Sequence, residues 1–182
     1  IVTNKINHLK KKKYSKSVIL LKGGKERSDS SLKALKYLKK YKPLNVFIHD
    51  AARPNFSIKL LRNISKNLKK NKVVVPVLTS KDSIKYKIRN KIFNLNRKNS
   101  ILTQTPQAFR FKELYNLACK EQNKISDECT LFIDQNYKIK FITGENQNYK
   151  ITYINDITTP KTYFGIGFDL HRLIKNKQLY LG

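Results

Sequence analysis

Short runs rich in Val, Ile and Phe alternate along this chain with stretches whose apolar residues recur every three to four positions. Few folds other than one built from βαβ units accept that alternation. Ser17 to Leu21 reads as a strand ending in Gly23-Gly24. Asp29 to Lys40 carries Leu32, Leu35 and Leu38 behind a Ser28/Asp29 start signal and reads as an amphipathic helix. A strand from Asn45 to His49 ends at Asp50, and Ser57 opens a second helix with Leu60, Leu61, Ile64 and Leu68 on one face. The apolar strand Val73 to Val77 follows. After Thr105-Pro106 come helical stretches from Phe111 to Glu121 and from Ser126 to Ile133, then a strand from Lys138 to Thr143.

The predicted fold is α/β, a Rossmann-like and mostly parallel sheet. Residues 82–97 interrupt it: Ile84, Tyr86 and Ile88 alternate with lysines, and Ile92-Phe93-Asn94-Leu95 follow the polar Arg89-Asn90-Lys91. That pattern reads as a β-hairpin projecting as an arm, a device that often joins two subunits into a homodimer. Pro160 breaks a linker-like helix end, and Tyr163 to Phe168 starts a new strand, so the expected domains are 1–160 and 161–182.

A chain of 182 residues buries roughly 70% of its unfolded surface as one domain. The formal net charge of +27 invites a nucleic-acid reading. Only seven of the 39 basic residues are arginine, however, and the lysines are spread through every segment. A nucleic-acid surface concentrates Arg with stacking aromatics on one face, so a nucleic-acid partner is not expected. Cys119 and Cys129 lie in helix-like sequence without a partner motif and read as small buried or half-buried apolar residues. No apolar stretch reaches the ~18 residues that span a bilayer, and no signal-peptide layout opens the chain, which places it in the cytoplasm.

In open α/β sheets ligands bind beyond the carboxyl ends of the strands. Three such ends are polar here. Gly23-Gly24-Lys25-Glu26-Arg27-Ser28-Asp29-Ser30 leads a glycine pair into a helix start, where free amides suit an anion or a base edge. His49-Asp50-Ala51-Ala52-Arg53-Pro54 sets an acid and a guanidinium toward one pocket, the acid for a hydroxyl or Mg²⁺ and the arginine for a phosphate. Asn148-Tyr149-Lys150-Ile151-Thr152 supplies a lysine able to neutralise phosphate charge. Each has a plain structural alternative: a capped glycine turn, a salt bridge, a solvent-facing lysine.

Together and in order, Gly23-Gly24-x-x-Arg27-x-x-Ser30, His49 to Pro54, Asp82-Ser83-x-Lys85, Thr105-Pro106-Gln107-x-Phe109, Ser126-Asp127-Glu128 and Lys150-Ile151-Thr152 resemble the 2-C-methyl-D-erythritol 4-phosphate cytidylyltransferases. The resemblance implies transfer of a cytidylyl group from CTP to methylerythritol phosphate with Mg²⁺ and release of pyrophosphate. It implies that Gly23, Gly24, Arg27 and Ser30 bind substrate on the nucleotide side. Asp50 and Arg53 would hold methylerythritol phosphate, with Arg97 and Thr105 reaching in from the arm of a second subunit. Ser83 and Ser126 stand where the family usually has Thr, and Lys150 would stabilise the phosphates during attack. Positioning and charge neutralisation would supply the catalysis, with Lys150, Asp50 and Arg53 as the catalytic set.

The family's opening strand and Gly-rich triphosphate loop have no counterpart here, so a first βαβ part is expected upstream of Ile1, and the chain alone is expected to bind CTP poorly. At the other end, Phe164-Gly165-Ile166-Gly167-Phe168-Asp169-Leu170-His171-Arg172 resembles the opening strand of the cyclodiphosphate synthases. In that family the Asp-x-His pair, Asp169 and His171 here, holds a divalent metal, usually Zn²⁺, and positions i and i+2 of a strand share a face. Another sugar-phosphate nucleotidyltransferase, or a basic nucleic-acid-binding module, are the alternatives.

Overall fold

The structure, a computed structural model, describes residues 1–10, 15–121, 125 and 127–157. In chain order the elements are β1 (Val2–Thr3), α1 (Ile6–Lys10), β2 (Leu21–Lys22), α2 (Arg27–Leu38), β3 (Asn45–Ile48), α3 (Ile58–Leu68), β4 (Val73–Thr79), β5 (Ile84–Ile88), β6 (Lys91–Leu95), β7 (Ile101–Thr103), β8 (Gln107–Arg110), α4 (Phe111–Lys120), α5 (Glu128–Asp134) and β9 (Lys140–Thr143). Short 3-10 turns occupy Lys39–Tyr41 and Ile154–Asp156. The polypeptide divides into two compact units, Ile1–Lys150 and Ile151–Gly182. In the second, the Asp156 carboxylate accepts from the amides of Thr152 (2.7 Å) and Tyr153 (2.8 Å). The expected boundary at Pro160, Ser126, and the Asp169/His171 pair lie outside the described residues.

The first unit is α/β, as expected, but its five-stranded sheet is mixed rather than mostly parallel. β9 pairs with β4 in parallel, whereas β8 lies antiparallel to both β3 and β4, and β7 is antiparallel to β4. A separate parallel pair joins β1 to β2. The chain returning from the arm therefore enters the sheet against the direction of its neighbours. It also carries an irregularity. Val77 faces Thr103 and Val74 faces Ala108, so three steps along β4 are matched by five on the returning chain. The two extra residues are taken up at 104–106, a bulge of the kind that re-aims side chains beside functional sites, and the Thr105-Pro106 peptide there is cis.

Each face of the sheet is covered. α3 starts at Ser57, whose hydroxyl accepts from the Leu60 amide at 3.0 Å, and it buries Leu60, Ile64 and Leu68 against Val74, Ala108 and Ile142. That spacing, one residue per helical turn, explains why the helix was legible. On the other face Leu35 of α2, Phe111 and Leu114 of α4, and Leu131 and Phe132 of α5 enclose Val73, Val75 and Phe109. Strand β4, apolar at consecutive positions, has a core on both sides. α2 begins earlier than expected because Glu26 is its cap: the Asp29 carboxylate accepts from the Glu26 amide at 3.1 Å.

The cysteines separate. Cys129 is buried as expected, but Cys119 is exposed, on the outer side of α4. Burial, and then the Asp127 charge, push the Cys129 thiol up to about 12. Iodoacetamide at pH 8 is therefore expected to modify Cys119 and spare Cys129 in the folded protein, with both labelled in denaturant. Labelling of native Cys129, read by peptide mass spectrometry, would contradict this packing.

Candidate active site

Asp50 follows the carboxyl end of β3, and the neighbouring elements converge on it. Its amide donates to Oγ1 of Thr105 at 3.0 Å, so the 104–106 bulge supplies an acceptor just where the strand runs out of sheet partners. Its carboxylate is held on both oxygens. Arg27 Nε, from the start of α2, lies 3.3 Å from Oδ1, and Lys150 Nζ lies 3.2 Å from Oδ2. Burial works against ionisation of Asp50, but the Arg27 guanidinium and the Lys150 ammonium outweigh it and hold the carboxyl below its ordinary value.

Arg27 also reaches Glu128, the first residue of α5. Its Nη1 donates to both carboxylate oxygens, at 3.0 and 2.8 Å. The Glu128 side chain is only 1% exposed. For Arg27, burial pulls the guanidinium down, yet Glu128 and then Asp50 leave it above its ordinary value.

His49 ties two loops together. Its Nε2 faces the Arg53 carbonyl at 2.9 Å, which can only accept, so Nε2 carries the proton. In the neutral ring Nδ1 then accepts from the Thr105 hydroxyl at 3.1 Å. Arg53 in turn donates from Nη1 to the carbonyl of Asn148 at 2.8 Å, and burial lowers its guanidinium against the opposing pull of Asp50. The buried Asn148 side chain donates to the Thr105 carbonyl at 2.9 Å, and Gln104 Nε2 donates to the carbonyls of Glu145 (2.9 Å) and Asn148 (3.1 Å). Lys150 thus stands two residues from a fully pinned backbone. The Glu145 carboxylate accepts from the Ser57 amide at 3.0 Å and from its hydroxyl, fastening the same loop to α3.

The glycine turn lies beside this cluster. The Gly24 amide donates to Ser30 Oγ at 3.0 Å, and Ser30 donates to the Glu26 carbonyl at 3.2 Å. A side chain at Gly24 would collide with Cβ of Asp29, and one at Gly23 would sit 2.7 Å from Asn4 Oδ1. Gly24 is therefore needed for close packing of the turn on the helix start, whereas at Gly23 the Asn4 side chain could give way. A cleft of about 530 Å³ runs along Arg27, Ser30, His49 and Asp50, and another of about 510 Å³ along Arg53, Thr103, Gln104, Tyr149 and Lys150. Asp50 and Lys150 meet between them.

Asp50, Arg53, Lys150, Arg27 and Thr105 are therefore brought together, with Gly23, Gly24 and Ser30 alongside. The bulge places Thr105 in the Asp50 cluster of its own chain, its hydroxyl between the Asp50 amide and the His49 ring. Ser83 is exposed at the start of the arm, and Arg97 at its base donates to the Lys81 carbonyl at 3.3 Å. Sequence alone assigns no role to Glu128, Asn148 or Gln104, although Glu128 belongs to the Ser126-Asp127-Glu128 motif and Asn148 opens the segment that carries Lys150.

The sequence matches the family profile of 2-C-methyl-D-erythritol 4-phosphate cytidylyltransferase over residues 1–165. The chain belongs to this cytidylyltransferase family. A bifunctional IspD/IspF enzyme of Pelagibacter ubique is 45% identical over the whole chain and 49% of its own length. The cytidylyltransferase of Thermosipho africanus is 30% identical, over 80% of this chain and 67% of its own. Among solved structures, 4-diphosphocytidyl-2C-methyl-D-erythritol synthase of Anaerococcus prevotii superimposes with a TM-score of 0.73 at 32% identity, covering 82% of this chain and 72% of that one. The bifunctional IspDF of Campylobacter jejuni gives 0.73 at 29%, covering 86% and 40%. The chain thus spans about half the length of the first bifunctional relative. Within this family, the convergence of three strand ends on Asp50 is the candidate active site.

Proposed function

We propose that the domain transfers a cytidylyl group from CTP to 2-C-methyl-D-erythritol 4-phosphate, releasing pyrophosphate, in isoprenoid biosynthesis in the cytoplasm. One observation carries the reading: a carboxylate at a strand end, held between Arg27 and Lys150, lies beside the glycine turn and the Arg53 loop. Two phosphates that repel one another must meet in such a reaction, and the cations here are fixed before they arrive. The cleft of Arg27 and Ser30 suits the cytidine, and the cleft of Arg53 and Lys150 suits the methylerythritol phosphate. Asp50 would accept from a substrate hydroxyl, Arg53 and Lys150 would draw the phosphate in, and Lys150 would neutralise charge as the substrate phosphate attacks the α-phosphorus of CTP.

Among the described residues no three His, Cys, Asp or Glu side chains gather as a metal cluster, and both oxygens of Asp50 are engaged. That donor set fits Mg²⁺ bound mainly through the nucleotide's own phosphate oxygens, where it would neutralise triphosphate charge. Residues 161–182 are read as the start of a cyclodiphosphate synthase domain, with Asp169 and His171 as ligands of a divalent metal, zinc by donor type. The alignment of the whole chain with a bifunctional relative supports this. Ser126 and Ser83 are assigned to substrate binding on the family motif.

The arm supports a homodimer. The register places Tyr86 opposite Phe93 and Ile84 opposite Leu95. Tyr86, Ile88, Phe93 and Leu95 are all 45% exposed or more, an apolar face that none of the other described residues covers. Arg97 at the arm's base would enter the partner's methylerythritol phosphate cleft. Phe93→Asp is expected to convert the dimer to monomer in light scattering after gel filtration. A dimer unchanged by that substitution would remove the arm from the interface.

The function is tested by pyrophosphate release from CTP and methylerythritol phosphate with Mg²⁺, comparing this chain with one extended upstream by a Gly-rich loop. Release that requires methylerythritol phosphate is expected from the extended chain, with little or none from the chain alone. Silence from both, with release from another sugar phosphate, would overturn the substrate assignment.

A further inference from the structure

We propose that Glu128 is a positioning residue for this reaction: it fixes Arg27, and Arg27 aims the Asp50 carboxylate. The inference rests on the cytidylyl-transfer reading of the site. Glu128 lies outside the Asp50 cleft. It lines a separate cavity of about 310 Å³ between α2, α4 and α5, whereas Arg27 and Asp50 line the cleft of Ser30. With 1% of its side chain exposed, it acts on that cleft only through what it touches.

What it touches is the guanidinium. Nη1 of Arg27 is shared between the two Glu128 oxygens, and Nε of the same planar group donates to Asp50 Oδ1. Because the guanidinium is rigid, fixing Nη1 fixes the direction of Nε. The anchor is itself anchored, since the adjoining Asp127 caps α5 by accepting from the Thr130 amide at 3.1 Å. Arg27 thus bridges the start of α2, the end of β3 and the start of α5. With Lys150 on the other oxygen, the carboxylate is held from both sides. On this geometry Arg27 serves the nucleotide side indirectly, its Nε and Nη1 being spent on protein carboxylates.

Glu128→Gln keeps the shape and removes the charge. In the full-length protein it is expected to lower kcat about tenfold or more, on the scale of a small misplacement of catalytic groups. KM for CTP should change less than about threefold, and Tm should fall but leave the protein folded, because the amide keeps one acceptor for Nη1 and turns a donor toward it in place of the other. Arg27→Gln should behave alike, and the double variant should be no slower than Arg27→Gln alone, since the two act as one unit. Glu128→Asp, which keeps the charge, should recover part of kcat. A second readout does not depend on turnover: in ¹⁵N NMR the Arg27 Nε–H should exchange slowly in the parent and markedly faster in Glu128→Gln. Independent, multiplicative losses in the double variant, or unchanged Nε–H exchange, would overturn the proposal. Slow exchange lost on substitution, in a protein that shows no cytidylyl transfer, would overturn the assigned reaction and leave the Glu128 to Arg27 coupling standing.

Discussion

Asp50→Asn is expected to lower kcat/KM for pyrophosphate release by about 10²- to 10³-fold, the scale of losing one preorganised electrostatic group. The substitution preserves size but leaves Arg27 and Lys150 facing each other without the charge that now separates them. Lys150 would turn away and leave the place where phosphate charge develops, while Arg27 stays on Glu128. A loss under about threefold would mean that Asp50 neither contacts substrate nor orders the cations. The same variant carries a pH signature. The folded carboxyl lies below its ordinary value, so its ion pairs contribute fully above that ordinary value and are lost as pH falls from it through the lower folded one. Parent stability should therefore drop on acidification below about pH 4 more steeply than that of Asp50→Asn, as read by urea unfolding at each pH.

Phe109→Ala is expected to cost about 3–5 kcal/mol, the range for emptying a buried aromatic site. Phe109 is fully buried and stacks on Phe132 with ring centroids 5.4 Å apart. Its strand hydrogen-bonds on both edges, facing Val46 on β3 and Val73 on β4, so neither the backbone nor the ring can settle into the void. Against a total stability of about 5–15 kcal/mol that loss is a large fraction. A loss below about 1.5 kcal/mol, smaller than truncation of a packed aromatic, would show that α5 closes over the gap.

The helices and the arm were legible because their signals are periodic and local. Ser57 caps α3 as read, and the alternation of residues 84–95 produces a hairpin whose two-residue turn puts Arg89 at φ 50°. β7 and β8 were not legible. At three and four residues they are too short to show alternation, and Gln107 and Arg110 make β8 look like a loop. Missing β8 is what made the sheet read as mostly parallel. In the site, Arg27, Asp50, Arg53, Thr105 and Lys150 stand in motifs the sequence shows, whereas the parts played by Glu128, Asn148 and Gln104 in holding them do not. A Glu at 128 or an Asn at 148 looks like a solvent-facing side chain until tertiary packing buries it, and the partners, Arg27 and the Thr105 carbonyl, explain why burial is tolerated.

The insertion of β8 between β3 and β4 also sets the order in which this protein can be made. A chain leaving the ribosome presents β3 and then β4, two apolar strands that do not pair with each other in the finished sheet. Their shared partner is translated only at residues 107–110, after the whole arm has emerged. Until then both strands offer unpaired edges, and β4 waits longer still for β9 at 140–143. Long-range pairing of this kind is slow and exposes aggregation-prone edges. Nascent chains halted before residue 107 should therefore recruit holding chaperones, and release them as first β8 and then β9 are made.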